Sequence, residues 1–557
     1  MKILLKLQPG EEYERVERTL PFRLEDLVKE YGSQTPYTVL LARVDGADTE
    51  LSSEISNECS IELLDMRDRS ANRVYQHSLS LIYLKAVKDV IGDVPVEIEN
   101  SLNKGLYTEI CTQRPVTEAQ MRSIEKRMKT LVEEDLPIVC EEYTREEAIK
   151  IWGEYNYPEK SRLLERATDI KLAKFYRIEG YRNFFYGLMA PSTGYMKYFE
   201  LKKCRRGIIL RFPYMTKPDE IPEYVDDKKL YVAFGEAKRW QKLLSVSYLD
   251  DLNKKIREGE AKELILLSEA LHEKKIAEIA DKITKGRKRI ILIAGPSSSG
   301  KTTFARRLCV QLRVNGLKPL YMGTDDYFVE RSQTPIGEDG QPNYEDLEAI
   351  DIDLFNDNMN GLLRGKEVDL PEFDFLDGTK RFGKRITSVT GNQPIVIEGI
   401  HALNDKLTER ISAAEKFKIY ISPFTQLNVD VHNRIPTTDA RMLRRMVRDH
   451  KYRNHTAAET IAQWPKVRAG EDKNIFPYNG QADVLFNSAL VYELSLLKKY
   501  AEPLLKEVKP GQLEHSEAAR MLNFIKFFDV LEDEHNIPNN SIMREFIGGS
   551  VFTEQNK

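Results

Sequence analysis

The chain has 557 residues, 41% of them hydrophobic and 31% charged, and a formal net charge of -4 at pH 7. This length predicts two to four domains, and the charge balance argues against a strongly basic nucleic-acid-binding protein. No apolar run reaches the roughly 18 residues that a membrane-spanning helix needs, and the N-terminal segment turns acidic too early for a secretory signal. The five cysteines lack C-x-x-C spacing, which is typical of free thiols in a reducing compartment, so we expect a cytoplasmic protein without membrane contact.

The first 225 residues contain two patterns. Residues 1–62 are short apolar runs separated by turns, and Asp45-Gly46 predicts a hairpin, so we expect a small β-rich domain. Between residues 63 and 225, the stretches SLSLIYLKAVKDVI and EAQMRSIEKRMKTLVEE predict helices, whereas YMKYFELKKC and RGIILRFP predict strands. This mixture is typical of an α+β domain.

The rest of the chain changes character twice. Residues 226–286 are strongly helical, and LILLSEALHEKKIAEIADKI has apolar residues three and four apart, which predicts a helical connector packed on its neighbours. From 287 to 505, strand and helix patterns alternate, which predicts an α/β domain with a parallel sheet flanked by helices. Residues 506–557 predict a helical extension.

The stretch GPSSSGKTT at 295–303 has the spacing of a phosphate-binding loop, G-x-x-x-x-G-K-[ST]. It follows an apolar run, RIILIA, that predicts a buried strand, and it precedes a predicted helix. In such a loop backbone N–H groups bind phosphates, the Lys neutralises the outer phosphates and the Thr hydroxyl binds Mg²⁺; the alternative is a Gly/Ser-rich surface turn. We expect a nucleoside triphosphate to contact Gly295, Ser297, Ser298, Ser299, Gly300, Lys301, Thr302 and Thr303.

Two later strands deliver carboxylates to the same predicted edge of the sheet. LKPLYMG ends just before Asp325, which we expect to take a proton from an attacking hydroxyl or to help hold the metal. QPIVIEGIHAL brings Glu398 to its end as a direct or water-mediated Mg²⁺ ligand. The alternatives are a helix cap or loop acid for Asp325 and a solvated strand-end acid for Glu398.

A predicted helix, DARMLRRMVRDHKYRNH, concentrates cations at Arg441, Arg444, Arg445, Arg448 and Arg453. Guanidinium groups bind nucleotide phosphates and the charge that develops on a transferred phosphoryl group. We interpret this helix as a lid that closes over the phosphates; a nucleic-acid-binding helix is the alternative.

From residue 287 to about residue 500, these motifs together with NYEDLEAIDIDLF and PEFDFLDGTKR resemble the uridine kinase and phosphoribulokinase family of P-loop kinases. The resemblance implies ATP-dependent, Mg²⁺-dependent transfer of the γ-phosphate to a primary hydroxyl, in uridine kinases the 5′-OH of a nucleoside. It implies that Asp325 is the general base, that Thr302, Glu398 and Asp325 hold the metal, and that Glu345 holds ribose hydroxyls. The implied phosphate-contacting residues are Lys301, Arg445, Arg448 and Arg453, and the implied acceptor-binding residues are Asp326, Tyr327, Glu345, Phe373 and Asp374.

The chain departs from that family where the nucleobase would bind. Uridine kinases flank the pyrimidine with a Tyr and a His, and the matching positions here are Phe373 and Gly378. Loss of a side-chain donor predicts altered or looser base specificity. A kinase of a sugar or sugar phosphate, or an RNA-associated protein that uses its P-loop as a regulatory switch, therefore stays open as an alternative.

The front half resembles other proteins. Residues 1–62, with LLARVDGADTELSSEI, resemble a TGS domain of the β-grasp type, and residues 63–225, with VYQHSLSLIYLKAV and MAPSTGYMKYFEL, resemble the editing domain of threonyl-tRNA synthetases. That domain uses an H-x-x-x-H pair with a Cys and another His; here His77 remains, but Leu81, Phe185 and Met189 replace the others. We expect a domain without hydrolytic activity. The resemblances also imply RNA contact through the N-terminal domains and a homo-oligomer.

Overall fold

The computed structural model describes residues 2–8, 11–155, 157–167, 170–337, 340–375, 377–425 and 427–552. Its first unit is a mixed five-stranded sheet packed on one helix, in the order β2-β1-β7-β4-β5. The elements are β1 (Lys2–Lys6), β2 (Glu14–Glu17), β3 (Phe22–Arg23), α1 (Leu24–Tyr31), β4 (Val39–Val44), β5 (Ala47–Thr49), β6 (Glu54–Ile55) and β7 (Ser60–Asp65). Strand β1 runs parallel to β7, and the predicted hairpin turns at Asp45 and Gly46, both with positive φ, between β4 and β5. This is the expected β-grasp arrangement.

The second unit is α+β and contains two antiparallel sheets, β13-β14-β9-β8 and β10-β11-β12. The elements are α2 (Arg69–Ile91), β8 (Val96–Leu102), β9 (Gly105–Ile110), α3 (Glu118–Glu133), β10 (Val139–Thr144), α4 (Arg145–Glu154), α5 (Pro158–Arg166), β11 (Leu172–Ile178), β12 (Tyr181–Asn183), β13 (Glu200–Cys204) and β14 (Gly207–Arg211). Helices α2 and α3 contain the two predicted helical stretches, and β13 and β14 contain the two predicted strands. Apolar side chains of both helices form one core with β8, β9 and β14.

Three helices follow: α6 (Lys228–Leu244), α7 (Leu249–Arg257) and α8 (Ala261–Lys285). Helix α8 is more than a connector, because Leu264, Ile265, Ile276 and Ile279 are buried in the same core as the next unit. The helical segment is thus part of the wall behind the parallel sheet.

The third unit has a five-stranded sheet, β16-β21-β15-β22-β23, whose neighbours are all parallel. Its elements are β15 (Ile290–Ala294), α9 (Lys301–Val314), β16 (Leu320–Gly323), α10 (Ile352–Leu363), β17 (Val368–Asp369), β18 (Glu372–Asp374), β19 (Thr379–Arg381), β20 (Ile386–Thr387), β21 (Ile395–Glu398), β22 (Lys416–Ser422), α11 (Thr437–Arg453), α12 (Ala457–Asn474), β23 (Val484–Asn487) and α13 (Glu493–Lys506). The central strand β15 is completely buried, with helices on both faces. The carboxyl ends of β15, β16 and β21 therefore meet at one edge, where open α/β sheets bind ligands.

The C-terminal segment is only partly helical. It contains α14 (His515–Ile525) and the short α15 (Arg544–Ile547), which is less helix than the expected helical extension over 506–557. The intervening stretch includes Pro538, Asn539 and Asn540, which favour turns over helix. This segment packs back onto the parallel-sheet unit through Ile542 and Phe546.

A loop of the third unit, residues 428–435, inserts into the second. Asp430 and Lys160 form a fully buried ion pair at 3.3 Å, and Val431 O accepts a hydrogen bond from Ile98 N at 3.0 Å. Asn433 Nδ2 donates to Phe184 O at 3.1 Å. The two units therefore share a desolvated interface.

All five cysteines are free thiols. Within the described ranges, no helix is long and apolar enough to cross a membrane.

Candidate active site

The loop between β15 and α9 adopts a conformation that its glycines permit. A β-carbon at Gly295 would lie 2.0 Å from Ile421 O, and Gly300, the residue before α9, has a φ of 85°. Both positions therefore exclude side chains, and the chain turns directly from a buried strand into a helix N-terminus. This is the strand–loop–helix setting that a phosphate-binding loop requires.

Buried groups of α11 and α12 hold this loop from behind. Arg441 Nε donates to Ser297 O at 2.9 Å, and Arg444 Nη1 donates to Ser298 O at 3.4 Å. Glu471 accepts from Ser297 N at 3.0 Å and pairs with Arg441. Arg441 and Arg444 are fully buried, so α11 is a packed wall of the site and the expected lid is not what this helix forms.

The other arginines of α11 face the loop or the solvent. Arg445 Nη1 donates to Ser297 Oγ at 2.9 Å, and Arg448 lines the cleft. Asp449, which is buried, pairs with Arg445 at 3.2 Å, Arg448 at 2.8 Å and Arg453 at 3.4 Å. One carboxylate thus pairs with three cations, of which Arg448 lines the cleft and Arg445 contacts the loop.

The cleft itself is polar and has a volume of about 210 Å³. Lys301 Nζ donates to Gly295 O at 2.9 Å and to Pro296 O at 3.2 Å, which places its charge inside the loop. Burial lowers the pKa of Lys301, and the nearby Glu398 opposes that shift. The cleft is lined by Ser297, Ser298, Ser299, Gly300, Lys301, Thr302, Gly323, Asp325, Glu345, Glu398, Gly399, Ile400, Arg448, Val467, Glu471, Ile475 and Glu545.

Oxygen donors cluster where the metal is expected. Thr302 Oγ1 donates to Glu398 Oε1 at 2.7 Å, and Tyr321 OH donates to the same oxygen at 2.9 Å. A hydroxyl beside a carboxylate, with Asp325 in the same cleft, is the hard-oxygen donor set that Mg²⁺ prefers. The residues present therefore fit a magnesium ion. Tyr321, which orients Glu398, lies in β16 and had no signal in the sequence motifs.

Asp325 lies in a short 3₁₀ turn directly after β16 and faces the cleft. Among the described residues, none donates a hydrogen bond to its carboxylate. Although the side chain remains accessible through the mouth of the cleft, loss of hydration and the charge of Glu398 raise the pKa of Asp325 to about 6, with Lys301 opposing. A carboxylate with this pKa and no partner is suited to accept a proton near neutral pH.

Asp326, Tyr327 and Glu345 were expected to bind the acceptor, and of these three Glu345 faces the cleft. Glu345 lines it, and burial raises the pKa of Glu345. Asp326 instead pairs with Arg385 at 2.6 Å. Tyr327 is fully buried, and its hydroxyl accepts from Asn358 Nδ2 at 3.2 Å. In this structure Asp326 and Tyr327 support the fold around the turn and do not reach the cleft.

The β18–β19 hairpin also differs from expectation. Phe373 is buried against Phe328, and Asp374 pairs with Arg381 at 2.6 Å. The exposed ring of the hairpin is Phe375, with 60% of its surface accessible. Phe373 therefore belongs to the core, and the residue two positions later is the one that a ligand could contact.

Gly378 has no space for a side chain. Its φ is 72°, and a β-carbon would lie 2.7 Å from Arg331 Cβ and Nε. Arg331 N donates to Gly378 O at 2.9 Å, and its Nη2 donates to Phe375 O at 2.8 Å. The guanidinium of Arg331 thus occupies the place of the missing side chain.

His77 in α2 is partly buried and packs closely against residues 185–187. A β-carbon at Gly187 would lie 2.0 Å from His77 Cε1, and the Phe185 ring is centred 6.1 Å from the imidazole. Burial lowers the pKa of His77 to about 4, so the ring is neutral. Leu81 and Met189 are buried in the same core. His77 is thus a partly buried residue packed beside this core, and the lack of hydrolytic activity stays a prediction.

Sequence motifs did not reveal two carboxylates on the loop. Glu471 binds Ser297 N, as described above, and Glu545 Oε2 accepts from Thr303 Oγ1 at 2.7 Å and from Thr303 N at 3.3 Å. Glu545 lies more than two hundred residues after the loop, so only the tertiary fold brings them together.

Comparisons with known proteins match the N-terminal region and the parallel-sheet unit to different proteins. Residues 290–495 match the model of the phosphoribulokinase / uridine kinase family. The threonine–tRNA ligase of Alkalilimnicola ehrlichii is 27% identical over 183 residues, 33% of this chain and 28% of the ligase. That of Caldanaerobacter subterraneus subsp. tengcongensis is 30% identical over 159 residues, 28% of this chain and 25% of the ligase. The chain thus spans less than a third of the length of these ligases. The match lies in the N-terminal region of this chain.

Two solved structures are similar to part of the chain. A possible uridine kinase from Bacillus stearothermophilus is 20% identical, with 38% of this chain and 99% of that chain covered and a TM-score of 0.25. The D-glycerate 3-kinase from Cryptococcus neoformans var. grubii is 13% identical, with 47% and 89% covered and a TM-score of 0.21. Both TM-scores are low, and neither likeness bears on function. The family match falls on the segment that contains the phosphate-binding loop, Asp325 and Glu398.

Proposed function

We propose that this chain is an ATP- and Mg²⁺-dependent kinase that transfers the γ-phosphate to a hydroxyl of a nucleoside-like acceptor, with the 5′-OH of a nucleoside as the first candidate. One observation carries the proposal: the unpaired Asp325 shares a cleft with Lys301, Thr302 and Glu398. A nucleotide switch needs the loop, the lysine and the metal ligands, whereas a kinase also needs a base beside the acceptor hydroxyl.

The phosphates would be bound by the loop, by the lysine of the loop and by arginines of α11. Backbone N–H groups at the start of α9 point to the phosphates, and Lys301 neutralises the outer ones. Arg445 and Arg448, oriented by Asp449, lie on the same side of the loop. Fixed cations of this kind stabilise the charge that builds on the transferred phosphoryl group.

Thr302 and Glu398 would hold Mg²⁺, because their oxygens already meet at 2.7 Å and Tyr321 fixes the carboxylate. When bound, the ion would offset the charge of the β- and γ-phosphates.

Transfer would then proceed at Asp325. The acceptor oxygen attacks the γ-phosphorus, its proton passes to the Asp325 carboxylate, and the bond from phosphorus to the β-phosphate oxygen breaks to release ADP. Glu345, which lines the same cleft, would accept hydrogen bonds from other hydroxyls of the acceptor. Lys301 and Arg448 stabilise the transition state by their charge.

A sugar or sugar phosphate is the second candidate acceptor. The observation in its favour is the hairpin, where Arg331 fills the side-chain space at Gly378 and Phe373 is buried. A guanidinium suits an anionic or hydroxyl-rich ligand better than the edge of a pyrimidine. The exposed Phe375 keeps base stacking available to a nucleoside.

We also propose that the N-terminal units gate the kinase, with RNA contact as the stimulus. Arg69 of α2 pairs with Asp439 at 3.1 Å, and Asp439 lies in the first turn of α11, the helix that carries Arg445 and Arg448. Substitution Arg69→Met should change the KM for ATP while the acceptor preference stays constant. If neither kinetics nor binding of transfer RNA in a filter assay depends on the N-terminal units, gating by RNA is excluded.

The test of the main proposal is acceptor-dependent release of ADP. Purified full-length protein with ATP and Mg²⁺ is assayed against a panel of nucleosides, sugars and sugar phosphates. We expect one class to stimulate turnover strongly and Asp325→Asn to lower the stimulated turnover at least about a hundredfold. ATP binding without any stimulated turnover would refute the kinase and favour a regulatory switch.

A further inference from the structure

The C-terminal segment places a carboxylate on the phosphate-binding loop of its own chain. Glu545 Oε2 accepts from Thr303 Oγ1 at 2.7 Å and from Thr303 N at 3.3 Å. In the part of the chain that the structure describes, these are the only hydrogen bonds to this carboxylate, and no Lys or Arg lies within 4.0 Å of it. The charge of Glu545 is therefore stabilised by donors of the loop helix.

The segment that carries Glu545 is firmly seated. Ile542 contacts the loop so closely that a β-carbon at Gly300 would lie 2.6 Å from Ile542 Cγ2. Phe546 is buried beneath the Arg444 guanidinium at 5.1 Å, and Lys451 Nζ donates to Ile547 O at 2.6 Å. The carboxylate is thus held in position by its neighbours on both sides.

Thr303 is the third residue of α9, so its N–H has no acceptor within the helix and belongs to the donors that a phosphate would use. Two anions cannot share this pair of donors without strong repulsion in a partly enclosed cleft. Glu471 differs, because Arg441 and Arg468 neutralise it and it binds Ser297 N as part of the loop's support. Among the described residues, Glu545 has only Thr303 N and Thr303 Oγ1 as hydrogen-bond donors to its carboxylate.

We propose that Glu545 occupies the position of a nucleotide phosphate beside Thr303, so that a nucleotide must displace this carboxylate in order to bind. The proposal rests on the proposed function only in that the cleft binds a nucleoside triphosphate; it does not depend on the acceptor. The C-terminal segment then lowers nucleotide affinity, and it reports occupancy to α11 through the contact of Lys451 with Ile547.

The first experiment measures ATP affinity by isothermal titration calorimetry on the full chain, without an acceptor. Glu545→Gln keeps the shape and a hydrogen-bond acceptor but removes the charge. Glu532→Gln is the matched control, because Glu532 lies in the same segment with 77% of its side chain exposed. We expect Glu545→Gln to bind ATP about tenfold more tightly and Glu532→Gln to match the wild type; unchanged or weaker binding by Glu545→Gln would overturn the proposal.

A second variant distinguishes displacement of Glu545 by a nucleotide phosphate from a role in which Glu545 only caps α9. Glu545→Ala removes both charge and acceptor, so it should melt at a lower temperature than the wild type and yet bind ATP more tightly. If Glu545 only caps α9, stability and affinity should fall together, and the proposal fails.

Hydrogen–deuterium exchange supplies an independent readout on the unmodified chain. Amides of residues 541–548 should exchange faster when ATP is added, because the carboxylate leaves the loop. Slower or unchanged exchange would overturn the proposal. Equal ATP binding by all variants refutes displacement alone, whereas no ATP binding by any of them refutes the nucleotide site and the proposed function as well.

Discussion

Replacement of Asp325 by Asn tests the proposed chemistry at one atom. The side chain keeps its shape and stays in the turn after β16, but it cannot take a proton. A positioned general base contributes about 10²–10⁴ in rate, or about 3–5 kcal/mol of transition-state stabilisation. We therefore expect kcat of Asp325→Asn to fall by two to four orders of magnitude on the best acceptor of the panel.

The pH dependence of kcat/KM is a second, independent test of Asp325 as the general base. With the pKa of Asp325 raised to about 6, about a tenth of the molecules carry the ionised base at pH 5 and about nine tenths at pH 7. The kcat/KM of the wild type should thus rise about tenfold over this interval and then level off. The residual activity of Asp325→Asn should not follow this curve.

Stability should move in the opposite direction from activity. A raised carboxyl pKa means that the folded chain binds this proton more tightly than the unfolded chain, so the contribution to stability is present at low pH and is lost as pH rises from about 4 through about 6. At pH 8 the Asn variant, freed of repulsion with Glu398, should melt at or above the wild-type temperature.

The assay couples ADP release to NADH oxidation at saturating acceptor, with ATP affinity measured by calorimetry. Asp353→Asn is the matched control, since Asp353 lies on α10 with 77% of its side chain exposed. The reasoning is refuted if Asp325→Asn keeps more than a third of wild-type kcat, or if its loss of rate is explained by lost ATP binding.

Three further changes test other parts of the structure. Glu398→Gln should raise the Mg²⁺ concentration for half-maximal turnover about 10–100-fold, measured by metal titration at constant ATP; an unchanged requirement would remove Glu398 from the metal site. Gly378→Ala should lower the free energy of unfolding by about 1–3 kcal/mol in urea melts, because φ is positive and the β-carbon meets Arg331; a neutral effect would contradict the described turn. Lys160→Met should cost about 3–5 kcal/mol by leaving Asp430 buried without its partner, and the double variant with Asp430→Asn should regain part of that loss; equal losses in both would show that the pair is not coupled.

The convergence of the loop, Asp325 and Glu398 was predictable because two local rules suffice. The loop motif fixes a strand, a turn and a helix, and parallel strands bring their carboxyl ends to one edge of the sheet. Thr302 and Glu398 indeed meet at 2.7 Å, although 96 residues separate them. The order of the strands was not needed to place them together.

The orientation of individual side chains was less predictable. Tyr327 and Phe373 match motif positions, but the 3₁₀ turn and the hairpin direct both into the core. The arginine-rich helix shows the same limit, because sequence cannot tell that Arg441 and Arg444 are buried against the loop carbonyls of Ser297 and Ser298. Burial of a charge depends on partners that are distant along the chain.

The measurement that tests the account most directly is the acceptor-stimulated release of ADP, with the phosphorylated product identified by mass spectrometry. We predict that one class of small hydroxyl compound gives a monophosphate ester in equal amount to ADP, and that Asp325→Asn forms both at least about a hundredfold more slowly. ATP binding in the absence of any phosphorylated product across nucleosides, sugars and sugar phosphates would contradict the account.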